Sequence, residues 1–277
     1  MISILQLGRI DYAAGLRLQQ KLVDLRKSGV IGDVLLLLEH TPVITLGRNA
    51  KAANVLMPAE QLALRGVEVY ECDRGGDVTF HGPGQLVGYP IFDLRGYAAP
   101  DGKRKTLGAV DYVRRLEEVM VRTCADFSVP TKRVAGLTGV WTDPERVDPG
   151  LRPGLGGSET RPHIMEGKIA AIGVHISRFV TSHGFALNVN TDLSFFNLIV
   201  PCGITSRPVT SMQRELGHEL DIATVAESVV RNFGIVFGEK TAPMESLDAL
   251  LENSVGVPMK APESLRAIRG EEDLFLA

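Results

Sequence analysis

The chain has 277 residues, 44% of them apolar, enough to bury one substantial core. Its 30 Lys and Arg nearly balance 33 Asp and Glu, leaving a net charge of −3, which excludes the broad basic field that nucleic-acid binding needs. Three cysteines, Cys72, Cys124 and Cys202, form no C-x-x-C pair, so a reducing compartment is expected and a cysteine zinc site is not.

In chain order, Ile2–Leu7 reads as a strand, and Asp11 can cap a helix running to about Ser28, with Gly29 at its end. Leu16, Leu22, Val23 and Leu25 give that helix an apolar face. Val34–Leu38 is a continuous apolar run suited to a strand buried on both faces. Val43–Leu46, Val67–Cys72 and Val78–Phe80 are short strands, with a helix from Pro58 to Arg65. Leu86–Leu94 is strand-like, and Pro90 implies an edge or a bulge. Val110–Phe127 is a second long helix with Val113, Leu116 and Met120 inward, and Ala223–Phe237 a third. Thr138–Trp141, Ile169–Ser177 and Gly184–Val189 are further strands. Strands clustered around few helices imply an α+β domain with a mixed sheet and flanking helices. The expected division is a single domain over 1–240, interrupted by a long Pro- and Gly-rich loop at 143–162, and a polar extension over 241–277. The N-terminus has no signal-peptide pattern and no apolar run reaches the ~20 residues of a membrane span. A cytoplasmic protein is expected.

The densest local signal is R-G-G-D-V-T-F-H-G-P-G-Q, Arg74 to Gln85. Its glycines permit close backbone approach and positive φ, suiting a pocket wall with Arg74, Thr79, His81 and Gln85 as polar contacts. It matches neither a dinucleotide fingerprint nor a P-loop. On composition it is equally a pair of tight turns. Cys202, in N-L-I-V-P-C-G-I, stands where an apolar run meets a turn. A thiolate nucleophile there needs a nearby cation or base, and Lys168, His175 and His183 are candidates. An isolated cysteine is more often inert and a strand-end lysine more often solvated. Chemistry alone leaves both readings open.

Six pieces, in order, carry a resemblance: E-H-T-P-V-I-T-L-G-R (Glu39–Arg48), Arg74–Arg95, G-V-W (Gly139–Trp141), K-I-A-A-I-G-V-H-I-S (Lys168–Ser177), H-G-F-A-L-N-V-N (His183–Asn190) and P-C-G-I (Pro201–Ile204). Together they resemble the lipoyl(octanoyl) transferase family. The resemblance implies a biotin/lipoate protein ligase-like fold. It also implies transfer of an octanoyl group from octanoyl-acyl carrier protein to a lysine of lipoyl domains, those of 2-oxoacid dehydrogenase complexes and of glycine cleavage H protein. It implies further that no cofactor, metal, nucleic acid or membrane takes part. The family's acyl-bearing cysteine falls on Cys202 and its lysine on Lys168. Its substrate-binding stretches fall on Arg74, Gly75, Gly76, Asp77, Val78, Thr79, Phe80 and His81, on Ala171, Ile172 and Gly173, and on Gly184, Phe185 and Ala186. Cys202 and Lys168 are then expected to meet at the mouth of one apolar pocket.

Two rivals remain: an ATP-dependent lipoate- or biotin-protein ligase on the same fold, and a non-catalytic acyl-binding domain. The H-G-P-G-Q run differs from the H-D-x-G-N-like pattern of lipoate ligases, which also do not need Cys202. The loop 143–162 and the tail are longer than the family pattern, which bears on partner docking. Arg48, Arg74, Arg178, Arg207 and Arg214 are expected either to form a landing surface for acidic carriers or to be scattered solvated charges. Cys72 and Cys124 read as core residues.

Overall fold

The computed structural model describes residues 1–102, 104–143, 145, 166–201, 207–247 and 249. Its first unit is β1 (Ile2–Ile10), α1 (Tyr12–Lys27) and β2 (Asp33–His40). Asp11 caps α1, its carboxylate accepting from Ala14 N at 2.7 Å. Then come β3 (Val43–Leu46), α2 (Ala59–Leu64), β4 (Glu68–Glu71), β5 (Val78–His81) and β6 (Gln85–Ile91). The long α3 (Ala109–Asp126) leads to β7 (Thr131–Val134) and β8 (Leu137–Thr142). The hairpin β9 (Lys168–Ser177) and β10 (Val180–Asn188) follows. After it come α4 (Met212–Leu216), α5 (Ile222–Phe237) and β11 (Thr241–Pro243).

Among the described residues, the large sheet runs β11-β1-β2-β6-β10-β9-β8-β7 and a small sheet runs β4-β3-β5. β1 pairs in parallel with β2 and β11; the remaining pairs of the large sheet are antiparallel. The fold is therefore the expected α+β class with a mixed sheet. The run Val34–Leu38 is buried on both faces. Leu35 and Leu37 join the core under α3 and α5, while Val34, Leu36 and Leu38 join the one under α1. The small sheet has its own core, in which Val78 and Phe80 pack with Leu198 and Ile199.

Several details differ from the sequence reading. Pro90 lies on a central strand, β6, between β2 and β10. It is tolerated because the β6–β10 ladder ends at Gly88–Phe185, so no partner carbonyl waits for the missing N–H. Gly184 stands beside the ring, where a Cβ would lie 2.6 Å from Pro90 Cδ. Thr181 Oγ1 then donates to the Pro90 carbonyl at 2.7 Å. Val113 is only half-buried; Tyr112, Leu116, Val119, Met120, Thr123 and Cys124 form the inner face of α3. β7 and β11 were not expected: four residues with two cations carry little strand signal, and three residues carry less. Thr241–Pro243, on the extension side of the expected boundary, adds a parallel strand to β1. Leu247 packs into the core under α1. Most of loop 143–162, with His163 and Met165, and the tail beyond Ala249 lie outside the described residues. Among the described residues no helix is long and apolar enough to cross a membrane.

Candidate active site

A cavity opens where the small sheet leans on β9 and β10, enclosing about 480 Å³ including its mouth. The loop before β5 is tied to β9 by Gly75 N donating to the Val174 carbonyl at 3.0 Å. Gly173 allows that approach, since a Cβ there would lie 2.7 Å from the Gly75 carbonyl oxygen. The three stretches singled out by sequence meet here. Arg74, Gly75, Gly76, Thr79 and His81 line one wall, and Ala171, Ile172, Gly173, Gly184, Phe185 and Ala186 the other. Asp77, Val78 and Phe80 do not line it. Strand alternation in β5 sends Val78 and Phe80 into the small core, where Phe80 stacks on Phe195. Asp77 braces the neighbouring loop, accepting from Asn54 Nδ2 at 2.6 Å and Lys51 N at 3.2 Å.

Tyr12, Tyr89 and His183 complete the cavity. The two tyrosines were missed in the sequence, for Tyr12 is the first residue of α1 and Tyr89 sits inside an apolar strand run. The alternation Val87–Tyr89–Ile91 on one face of β6 was the available signal. Beneath the cavity, His40 Nδ1 donates to the Ile10 carbonyl at 3.1 Å, so its Nε2 must accept from the Tyr89 hydroxyl at 2.6 Å. Burial holds His40 neutral, its pKa lowered to about 4, and raises the Tyr89 phenol above its usual range.

His81 is fixed in one tautomer. Gln85 Nε2 donates to the Phe80 carbonyl at 3.2 Å and to Asn188 Oδ1 at 2.9 Å, and Asn188 Nδ2 donates to the Thr210 carbonyl at 2.9 Å. Carbonyls can only accept, so the Gln85 amide must turn Oε1 toward His81. The His81 Nδ1 proton therefore donates to that oxygen at 2.7 Å, leaving Nε2 as an acceptor. Burial first, and then His40, lower its pKa to about 3.

Arg74 is 8% exposed and turned inward, donating to the Thr45 carbonyl at 2.7 Å and to Thr45 Oγ1 at 2.9 Å. It is thus part of the cavity wall and not of a landing surface. Arg178 is exposed at the β9–β10 turn, about 30 Å along β9 from Lys168. The five arginines do not share one patch. Asp73 accepts from His183 Nε2 at 2.7 Å and pairs with His175 Nδ1. Burial opposes the Asp73 charge, but the bond from His183 and the charges of His183 and His175 hold its carboxyl below the usual range.

Lys168 opens β9 three residues before Ala171, 9% exposed. Its ammonium stands 5.3 Å from the centroid of the Trp141 ring. Lys168 N donates to the Pro208 carbonyl at 2.8 Å, and Thr210 N to the Lys168 carbonyl at 3.0 Å. The residues on the far side of 202–206 therefore run alongside Lys168. Cys202 itself lies outside the described residues. Of the other cysteines, Cys124 is buried, whereas Cys72 is only partly so, its thiol donating to the Leu46 carbonyl at 3.4 Å.

The family model of the lipoyl protein ligase A/B catalytic domain matches residues 11–234. The chain belongs to that family. Lipoyl protein ligase A/B relatives include an octanoyltransferase of Koribacter versatilis, 56% identical over the whole of both chains. Another, of Acidobacterium capsulatum, is 58% identical and covers 91% of this chain and 96% of its own. This member of the family is accordingly an acyltransferase. Two solved structures share the fold at low identity. One, a lipoate-protein ligase A bound with ATP, has a TM-score of 0.63 at 12% identity and covers 99% of this chain and 96% of its own. The other, a bipartite lipoate protein ligase from Thermoplasma acidophilum, has a TM-score of 0.60 at 13% identity, with coverages of 98% and 92%. The lipoate ligase-like fold expected from sequence is thus the fold observed.

Proposed function

We propose that the chain moves an octanoyl group from octanoyl-acyl carrier protein to a lysine of a lipoyl domain, through a thioester on Cys202 with Lys168 as its proton partner. The observation that carries this reading is the cavity. Three separate stretches meet around it, and the strand that supplies one wall begins at Lys168. The octanoyltransferase relatives support the acyl group. Apolar Ala171, Ile172, Phe185 and Ala186 suit a straight alkyl chain, each buried CH₂ adding about 0.8 kcal/mol. Pro208–Thr210, bonded to the backbone of Lys168, follow Cys202 by a few residues, which supports pairing the two.

In the first half-reaction the Cys202 thiolate attacks the carrier thioester. The C–S bond to the carrier breaks, and its thiolate takes a proton from the Lys168 ammonium. In the second, the acceptor amine attacks the acyl-enzyme, loses a proton to Lys168 and releases the Cys202 thiolate. Thioester exchange is close to neutral in energy, and amide formation drives the second step without ATP. Splitting the transfer lets two partners use one site in turn. Donor and acceptor are those the sequence resemblance implies, including the lipoyl domains of 2-oxoacid dehydrogenase complexes and glycine cleavage H protein. The setting we propose is the cytoplasm.

The test is intact mass after incubation with octanoyl-acyl carrier protein. One octanoyl adduct, removable by hydroxylamine and absent from Cys202→Ser, is expected. Full transfer by Cys202→Ser, or strict dependence on ATP, would overturn the reading in favour of a ligase.

A further inference from the structure

The chain contains a single tryptophan, Trp141, and it is 1% exposed. It stands directly opposite Lys168 in the β8–β9 ladder, with the Lys168 ammonium 5.3 Å from its ring centroid. Two residues earlier, Gly139 clears the space for that side chain. A Cβ there would lie 2.8 Å from Lys168 Cε and 2.6 Å from the Ala170 carbonyl oxygen. A buried tryptophan usually finds an acceptor for its indole N–H. Here Nε1 is buried and no partner reaches it among the described residues. Phenylalanine would fill a similar space without stranding a donor. What tryptophan adds is the most negative ring face of any side chain, which attracts a cation more strongly when water is excluded. The Arg207 guanidinium also lies 5.3 Å from the ring, but its charge is offset by Glu166, which in turn is paired with Lys132.

We propose that Trp141 is a positioning residue for Lys168, its ring face holding the ammonium in the slot that Gly139 leaves open. The inference rests on the proposed role of Lys168 beside Cys202. It assigns to G-V-W a purpose: the glycine makes room and the tryptophan holds the charge. A Lys168 ammonium kept in one place stabilises the Cys202 thiolate, and so sets how fast that thiol reacts.

Because Trp141 is the sole tryptophan, uniform incorporation of mono-, di- and trifluorotryptophan changes this ring alone and hardly changes its shape. The readout is the rate of Cys202 alkylation by iodoacetamide at fixed pH, mapped by peptide mass, with the melting temperature as control for folding. The rate should fall stepwise with each fluorine, on the order of tenfold across the series, while the melting temperature stays level. The same trend should persist in Arg207→Gln. A rate indifferent to fluorination, or a trend that vanishes in Arg207→Gln, would overturn the proposal. A second readout does not involve Cys202. All intrinsic tryptophan fluorescence comes from Trp141, so Lys168→Met should shift its emission, and unchanged emission would count against the contact. If Cys202→Ser transfers octanoyl normally, the thioester reading fails, while the fluorescence result still decides the Trp141–Lys168 contact.

Discussion

Gly139 has φ of +118°, in the region that favours glycine, and its hydrogen faces the Lys168 side chain. Gly139→Ala is therefore expected to strain the backbone and to displace Lys168. A loss of about 1–3 kcal/mol in stability should accompany a larger fall in acyl transfer. Urea unfolding and transfer assays on the same preparation check it, and a variant with wild-type transfer would refute it. The buried histidines give a second expectation at this scale. His40 and His81 are held near 4 and 3, against about 6.5 in an unfolded chain. Below pH 6.5 the unfolded chain binds protons that the folded one does not, so stability is full above that pH and is lost as pH falls toward 4. Roughly 3 kcal/mol should be lost through His40 alone. Urea midpoints between pH 8 and pH 4.5 should show this slope, and His40→Gln should flatten it even though it starts from a lower stability. An equal slope in the variant would assign the acid sensitivity to other groups.

Among the elements, α3 and β8 are joined by one carboxylate. Glu117 is fully buried, accepts from Gly139 N at 3.1 Å and from Arg114 Nη1 at 2.6 Å, and pairs with Arg133 Nε at 3.3 Å. Glu117→Leu strands the buried Gly139 N–H, while Arg133 keeps Glu118 at 2.7 Å, and should cost about 2–4 kcal/mol. Removing the half-buried cap of α1 by Asp11→Ala should cost nearer 1 kcal/mol. Chemical denaturation of the two variants side by side measures the difference; equal losses would mean that the bonds of buried Glu117 contribute no more to stability than a helix cap. These elements also show what the sequence reading missed. The helices were visible because apolar spacing and caps lie within one turn of each other, as with Asp11 and Ala14. Glu117 was invisible because a glutamate in an amphipathic helix looks solvated until a strand 22 residues later is packed upon it.

For the whole molecule, the large sheet ends in β11, whose three residues cover the edge of β1. Met244 N also donates to the Ile4 carbonyl at 2.8 Å, and Leu247 enters the core. Deleting residues 241–277 should uncover the backbone of Ile2–Ile4 as a free parallel edge. A lower melting temperature, by roughly 2–4 °C per kcal/mol lost, and concentration-dependent association are expected, with transfer per folded molecule retained. Calorimetry and sedimentation test this; an unchanged melting temperature would show that β11 contributes nothing.

At this scale the division of labour between sequence and structure is clear. Residues that act through their own backbone neighbourhood were legible. The run Val34–Leu38 spelled a strand buried on both sides, and the Arg74–Gln85 segment spelled a shaped wall, because glycine spacing and strand alternation are local properties. The same segment could not tell that Phe80 faces a small core while His81 faces the cavity. Nor could it foresee that Arg74 turns inward to Thr45. Those facts depend on which strands lie across from it. Tyr12 at the cavity, Pro90 beside Gly184 and Trp141 against Lys168 are of the same kind. Each joins residues separated by tens of positions, and such contacts exist only once sheet order and register bring them within a few ångströms.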